Sequence, residues 1–133
     1  MVQKYTIHEN DAREIRLNGR IVKPLITEEF GSHNMVMYTG TYEAGRMLPA
    51  HKHDNTEELI YVLSGYGEIH IEASTEPIKA GSAIFLPRGS THFLNILSSE
   101  PMRILFIYYP PEMPGTAPEG ERTNLPNDKY SAV

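Results

Sequence analysis

The chain has 133 residues, a formal net charge of −5 and no cysteine. This length is typical of one domain with its own hydrophobic core, and the absence of cysteine excludes disulfides, thiolate metal sites and cysteine nucleophiles. The acidic balance, without a basic stripe, argues against a nucleic-acid partner. The N-terminal segment lacks the apolar run of a signal peptide, and the longest apolar run, Ile104 to Tyr109, is too short to cross a bilayer. We therefore expect a cytoplasmic protein with no membrane partner.

Helical periodicity is nearly absent, and Gly and Pro turns divide the chain into short β-rich runs, which is typical of all-β barrels and sandwiches. In chain order, strands are predicted at Ile21 to Leu25, Met35 to Glu43, Leu59 to Leu63, Glu68 to Ala73, Ala83 to Leu86, Thr91 to Leu97 and Met102 to Tyr109. Gly65 and Gly67 predict a tight turn that joins the third and fourth of these strands as a hairpin. Because Pro24 cannot donate to a β-ladder, the first strand is predicted to lie at a sheet edge.

The pattern divides the chain into three parts. Residues 1–34 are predicted to form an N-terminal arm and the edge strand, and the first 20 residues are compatible with either a strand or a short helical turn. Residues 35–109 form the predicted barrel core. Residues 110–133 are a Pro-rich tail, which either wraps the barrel as extended coil or is partly disordered.

Three histidines and a carboxylate have a spacing that suits a metal site. His51 and His53 are two residues apart, so their imidazoles share one face of an extended segment. Glu57 and Glu58 precede an apolar strand, and only one of them can face the imidazoles because adjacent strand residues alternate. His92 follows a Pro-Gly turn and opens another strand. Such a set can chelate a divalent ion and leave a position open for water or substrate.

The spacing resembles the two conserved motifs of the cupin superfamily. The first runs Gly45-x5-His51-x-His53-x4-Glu58-x6-Gly65, and the second runs Gly81-x5-Pro87-x-Gly89-x2-His92. Asn95 follows His92 one residue earlier than the family's usual Asn. The resemblance implies a six- to eight-stranded jelly-roll barrel that encloses one divalent transition metal (Fe, Mn, Ni or Zn). It implies His51, His53, Glu58 and His92 as the ligands, and the spacing to Gly65 selects Glu58 over Glu57.

A metal site of this kind does not fix the reaction. A redox-active ion would support dioxygen activation, whereas a Lewis-acidic ion would support an isomerase, lyase, decarboxylase or polyketide cyclase, and non-catalytic ligand binding stays open. We expect a dioxygenase that acts on a small organic molecule. The reason is a predicted apolar wall around the metal, suited to O2 and formed by Ile60, Val62, Phe85 and Phe93.

Other residues receive simpler predictions. His8, His33 and His70 are expected to have no functional role. Arg46 and Arg103 could bind a substrate carboxylate, but we expect them at the surface. Small cupins tend to pair, so the resemblance and the open sheet edge together predict a homodimer formed through Ile21 to Leu25.

Overall fold

The computed structural model describes residues 3–114, which form nine β-strands and two single-turn 3-10 helices, Glu9–Asp11 and Glu28–Phe30. The strands are β1 Ile15–Leu17, β2 Arg20–Ile26, β3 Val36–Tyr42, β4 Glu57–Ser64, β5 Tyr66–Ile71, β6 Ser74–Lys79, β7 Ala83–Leu86, β8 His92–Ile96 and β9 Met102–Tyr109. The all-β prediction is confirmed. Most of the predicted Pro-rich tail, residues 115–133, lies outside the described residues. Within residues 3–114 no helix has the length and apolarity to span a membrane, and the cytoplasmic location stays a prediction.

The strands form two antiparallel sheets that enclose the core. One sheet has six strands in the order β1-β2-β3-β9-β4-β7, and the other has three in the order β6-β5-β8. In β4, Glu58, Ile60 and Val62 are buried between the sheets, whereas Leu59 and Tyr61 face outward. This alternation confirms the predicted inner face of β4, since successive side chains of a strand point to opposite faces. The inner face carries Glu58 and a row of apolar side chains into the same interior.

The predicted hairpin between β4 and β5 is wrong. β5 pairs with β6 and β8 in the smaller sheet, while β4 pairs with β7 and β9 in the larger one. The chain crosses between the sheets at Gly65, whose φ is +86° and where a Cβ would lie 2.8 Å from the Cα of Met102. At Gly67 a Cβ would lie 2.1 Å from the carbonyl oxygen of Asn95. Both glycines therefore allow a close backbone approach that no side chain would permit.

The prediction that Ile21 to Leu25 forms an edge strand is also wrong. The edge strands are β1 and β7, and β2, which contains the predicted edge element Ile21 to Leu25, lies between β1 and β3. Pro24 is tolerated there because β1 pairs only with residues 20–22 of β2, and the register shifts between Pro24 and Ile26. The sequence prediction also missed β6, a mostly exposed strand with Pro77 that forms an edge of the smaller sheet.

Exposed apolar side chains concentrate on the outer face of the larger sheet. Leu59 lies directly opposite Phe85 on β7 and Ile107 on β9, and Tyr61 lies opposite Leu105 on β9. Leu59 is 51% exposed and Phe85 is 53% exposed. The predicted homodimer interface at Ile21 to Leu25 has no comparable apolar face. If the protein pairs, this surface on β4, β7 and β9 suits a second copy better, because two twisted sheets stack face to face across a two-fold axis.

The homodimer stays a prediction and is tested by changing this surface. The double variant Leu59→Glu/Phe85→Glu should be monomeric, because two carboxylates would have to be desolvated at the centre of the interface. Light scattering after size exclusion measures the mass, and circular dichroism checks the fold. Tyr66→Glu, which changes a 54% exposed side chain on the smaller sheet, should stay dimeric. A wild-type protein with the 15.0 kDa mass of a single chain would contradict the prediction.

Candidate metal centre

A backbone pairing brings the first two histidines to the third. The segment of residues 46–53 runs antiparallel to β8, and His51 lies directly opposite His92. The backbone N–H of His51 donates to the carbonyl of His92 at 3.0 Å, and the reverse bond measures 2.8 Å. The N–H of Gly89 donates to the carbonyl of His53 at 2.8 Å, so the predicted Pro-Gly turn holds the end of this segment.

The three imidazoles form a compact group inside the barrel. Their ring centroids are 5.1 Å apart for His51 and His53, 4.4 Å for His51 and His92, and 5.5 Å for His53 and His92. One nitrogen from each ring lies within 4.8 Å of the others. His53 and His92 are almost fully buried, and His51 is partly buried. Three imidazole nitrogens at these separations could hold a metal ion.

Hydrogen bonds at Nδ1 orient each ring. Nδ1 of His51 lies 3.1 Å from the carbonyl oxygen of Pro49, and Nδ1 of His92 lies 2.9 Å from that of Ser90. A carbonyl can only accept, so both Nδ1 atoms carry the proton and both Nε2 lone pairs stay available to a ligand. Nδ1 of His53 is paired with the carboxylate of Glu112. Partners of this kind fix the tautomer and orientation of metal-binding histidines.

Glu58 adds a buried carboxylate to the group. Its Oε1 lies 3.6 Å from Nε2 of His53 and 3.7 Å from Nε2 of His92. These separations exceed a hydrogen bond and slightly exceed the spacing of about 3.0–3.5 Å between two ligands on one small ion. Within the described residues, Oε1 of Glu58 and Nε2 of His92 are buried and have no hydrogen-bond partner. Unsatisfied buried polar atoms are costly, and a cation between them would satisfy both.

Burial favours the neutral form of these groups. Burial lowers the pKa of His51 well below its usual value and lowers that of His92 to about 4. Burial also raises the pKa of Glu58 to about 7. Both imidazoles are therefore unprotonated at neutral pH, which is the form that binds a metal.

All four residues predicted from the motifs thus lie in one place, and their role as ligands stays a prediction. Glu57 begins β4 on the opposite face and is only partly buried. The predicted apolar wall is partly wrong. Ile60 lines the cavity beside the histidines, but Phe85 is half-exposed on the outer face of the sheet, and Phe93 stacks on His70 with ring centroids 4.3 Å apart.

The remaining wall is more polar than the sequence predicted. The cavity has a volume of about 50 Å³, and it is lined by Arg20, Tyr42, Leu48, Pro49, Ile60, Ile69, Leu94, Phe106, Tyr108 and Pro114 besides the four metal-site residues. Burial raises the pKa of Tyr42 to about 12 and that of Tyr108 well above its usual value. Both tyrosines therefore keep their hydroxyl protons at neutral pH and can donate hydrogen bonds.

Sequence reasoning missed Arg20 and Glu112, because both lie outside the two motifs. One local signal did exist for Arg20. Asn18-Gly19 is the strongest two-residue hairpin signal, and it places Arg20 at the start of β2. Nothing in the sequence marks Glu112, because its contact with His53 depends on how the chain folds back after β9.

Comparison with known proteins decides the family. A family model described as Cupin domain matches residues 38–108, more than half of the chain. The chain belongs to this cupin family. An uncharacterized protein of Methanocaldococcus jannaschii is 26% identical over 102 residues, which cover 68% of this chain and 82% of that protein.

Solved structures confirm the cupin fold. The polyketide cyclase RemF from Streptomyces resistomycificus has a TM-score of 0.72 at 23% identity and covers 98% of both chains. A predicted oxalate decarboxylase from Thermotoga maritima has a TM-score of 0.73 at 20% identity and covers 80% of this chain and 100% of that chain. Ectoine synthase from P. lautus has a TM-score of 0.73 at 21% identity and covers 83% of this chain and 80% of that chain. At these identities the likeness shows the fold of this cupin.

The two adjacent glutamates provide an internal comparison of the proposed ligand. Glu58→Gln should lower the affinity for zinc at least about tenfold, because an anionic ligand becomes neutral. Glu57→Gln, which makes the same change on the other face of β4, should leave it nearly unchanged. Competition with a zinc chelator measures both affinities. The opposite ranking would show that the register of β4 is wrong by one residue.

The carboxylate of Glu112 is expected to support His53. Glu112→Ala should lower zinc affinity about tenfold to a hundredfold, which is the usual effect of removing a partner that orients a metal-binding histidine. Glu112→Gln should lose less, because its amide oxygen can still accept the proton on Nδ1. Glu76→Ala, on the exposed edge strand β6, is the control. Unchanged affinity in Glu112→Ala would mean that packing alone orients His53.

Proposed function

We propose that this cupin is a divalent-metal-dependent enzyme that acts on a small oxygen-bearing organic molecule. Its chemistry would be non-redox, of the lyase, isomerase or cyclase type. His51, His53, His92 and Glu58 would hold the metal. The observation that carries the proposal is the convergence of three oriented imidazoles and one carboxylate, with Oε1 of Glu58 and Nε2 of His92 buried and unsatisfied.

The donor set fits a borderline or hard divalent cation. Imidazole and carboxylate together suit zinc, nickel, manganese and iron, and four protein ligands leave positions open in an octahedral site. When bound, such an ion polarises a carbonyl or lowers the pKa of a water molecule. The ion would take the place of the missing hydrogen-bond partners, which explains why these polar atoms are tolerated in the core.

The chain's own residues supply the rest of the site. Tyr42 and Tyr108 keep their hydroxyl protons and line the cavity, so they can donate hydrogen bonds to a substrate oxygen that gains negative charge. Phe106 and Ile60 cover other sides of the cavity and limit access of water. This combination of apolar walls and fixed donors supports enolisation or carbonyl chemistry.

We prefer a non-redox reaction to the dioxygenase reaction that was expected from the sequence. The dioxygenase prediction depended on an apolar wall that included Phe85 and Phe93, and neither residue lines the cavity. Tyr42, Tyr108 and Arg20 line it instead. The relatives of like fold include a polyketide cyclase and an ectoine synthase, and their names give no specific support to a dioxygenase.

The proposal predicts metal-dependent turnover that needs no oxygen. Protein prepared without an affinity tag and reconstituted with zinc, nickel, manganese or iron should bind about one equivalent of metal. A panel of small keto acids, hydroxy acids and 1,3-diketones is then incubated under argon and under air, with product analysis and an oxygen electrode. Products should form equally fast in both atmospheres, with zinc or nickel as well as with iron.

Two results would contradict the proposal in different ways. Less than about a tenth of an equivalent of metal after reconstitution with all four ions would remove the metal site itself. Turnover that appears only with iron or manganese, and consumes oxygen in proportion to product, would restore the dioxygenase prediction.

A further inference from the structure

Arg20 is a cation at the cavity that holds the proposed metal. It lines this cavity together with the three histidines and Glu58. Within residues 3–114 no hydrogen bond or ion pair joins its guanidinium to another side chain. The two arginines that the sequence suggested as carboxylate-binding residues are both occupied, since Arg46 pairs with Glu43 at 2.9 Å and Arg103 pairs with Glu9. Arg20, by contrast, has no carboxylate partner among the described residues.

The fold fixes the position of Arg20 by backbone bonds. A two-residue turn at Asn18 and Gly19 places Arg20 opposite Leu17 at the start of β2. On its other side Arg20 lies directly opposite Tyr42 on β3. The N–H of Glu43 donates to the carbonyl of Gly19 at 3.0 Å and ties the turn to the end of β3. Because these bonds already fix the backbone at Arg20, ligand binding needs to order only its side chain and not the surrounding chain.

Two tyrosine hydroxyls line the same cavity. Tyr42 is 7% exposed and Tyr108 is 4% exposed. Neither hydroxyl donates a hydrogen bond to any residue of the described part of the chain. A cavity that joins two tyrosine hydroxyls, each able to donate a hydrogen bond, to an unpaired guanidinium is suited to an oxygen-rich anion.

We propose that Arg20 is a specificity-determining residue that binds the carboxylate of a short-chain acid, while another oxygen of the same molecule faces the metal site. This inference rests on the proposed metal-dependent function and narrows its substrate class to small hydroxy or keto acids. The cavity of about 50 Å³ has room for only a few heavy atoms. A guanidinium binds a carboxylate through two parallel hydrogen bonds, which a neutral amide cannot reproduce. Arg20 lies outside residues 38–108, the part matched by the family model, so the cupin motifs do not include it.

The test compares two probes of the same shape. Glycolate and glycolamide differ in charge but share a hydroxyl and a carbonyl, and isothermal titration calorimetry measures their binding to the zinc-loaded protein. The wild-type protein should bind glycolate at least about tenfold more tightly. Arg20→Gln should remove this preference while the zinc content and melting temperature stay unchanged. Arg20→Lys should keep part of it, because the charge remains but the planar fork is lost. Arg16→Gln, an equal loss of charge on an exposed β1 side chain, should keep it fully.

The outcomes separate this inference from the proposal on which it rests. A wild-type protein that binds zinc but binds both probes equally would overturn the role of Arg20 and leave the metal site standing. A preference for glycolate that survives in Arg20→Gln would also overturn the role of Arg20 without affecting the metal site. A protein that takes up none of zinc, nickel, manganese and iron would overturn both. Loss of preference in Arg20→Gln with zinc retained would support both.

Discussion

The structure depends on one short backbone pairing, between the segment of residues 46–53 and strand β8. Two hydrogen bonds join His51 to His92, and this register decides which side chains face the barrel interior. A shift of one residue would turn the imidazoles away from each other, because side chains alternate along an extended chain. The pairing also links the two motifs, which are separated in sequence by β5 and β6. The fixed residue spacings within the two motifs therefore reflect the requirement that their side chains meet at one site.

The interior that this pairing creates combines an apolar core with four polar groups. Val62, Ile104 and Phe106 are almost completely buried, and such surroundings penalise charged or unsatisfied groups. Burial keeps the imidazoles of His51 and His92 neutral, and the Nδ1 atoms of the three rings are paired with Pro49, Ser90 and Glu112. Within the described part of the chain, the inward-facing Oε1 of Glu58 and Nε2 of His92 have no hydrogen-bond partner. A cation is the simplest group that satisfies both, so packing and the proposed chemistry have the same physical origin.

The sequence predicted the features that depend on local periodicity and spacing. Apolar runs bounded by Gly and Pro turns identified β4 and β9, alternation identified the inner face of β4, and motif spacing located the four residues that meet in the barrel. It could not predict long-range partners. The β4–β5 hairpin was wrong because Gly65 carries the chain to the other sheet, and β6 was missed because its exposed polar residues have no apolar alternation. Arg20 and Glu112 reach the site from distant segments, and no short pattern records such contacts.

X-ray absorption spectroscopy at the zinc edge of the reconstituted protein tests the four-ligand site most directly. The geometry predicts three imidazole nitrogens at about 2.0–2.1 Å and one carboxylate oxygen at about 2.0–2.2 Å, with the outer-shell scattering of the three rings. In Glu58→Gln the imidazole pattern should remain while the oxygen contribution changes. A first shell made only of oxygen, or one with fewer than three imidazoles, would contradict the account, since the ion would then lie away from His51, His53 and His92.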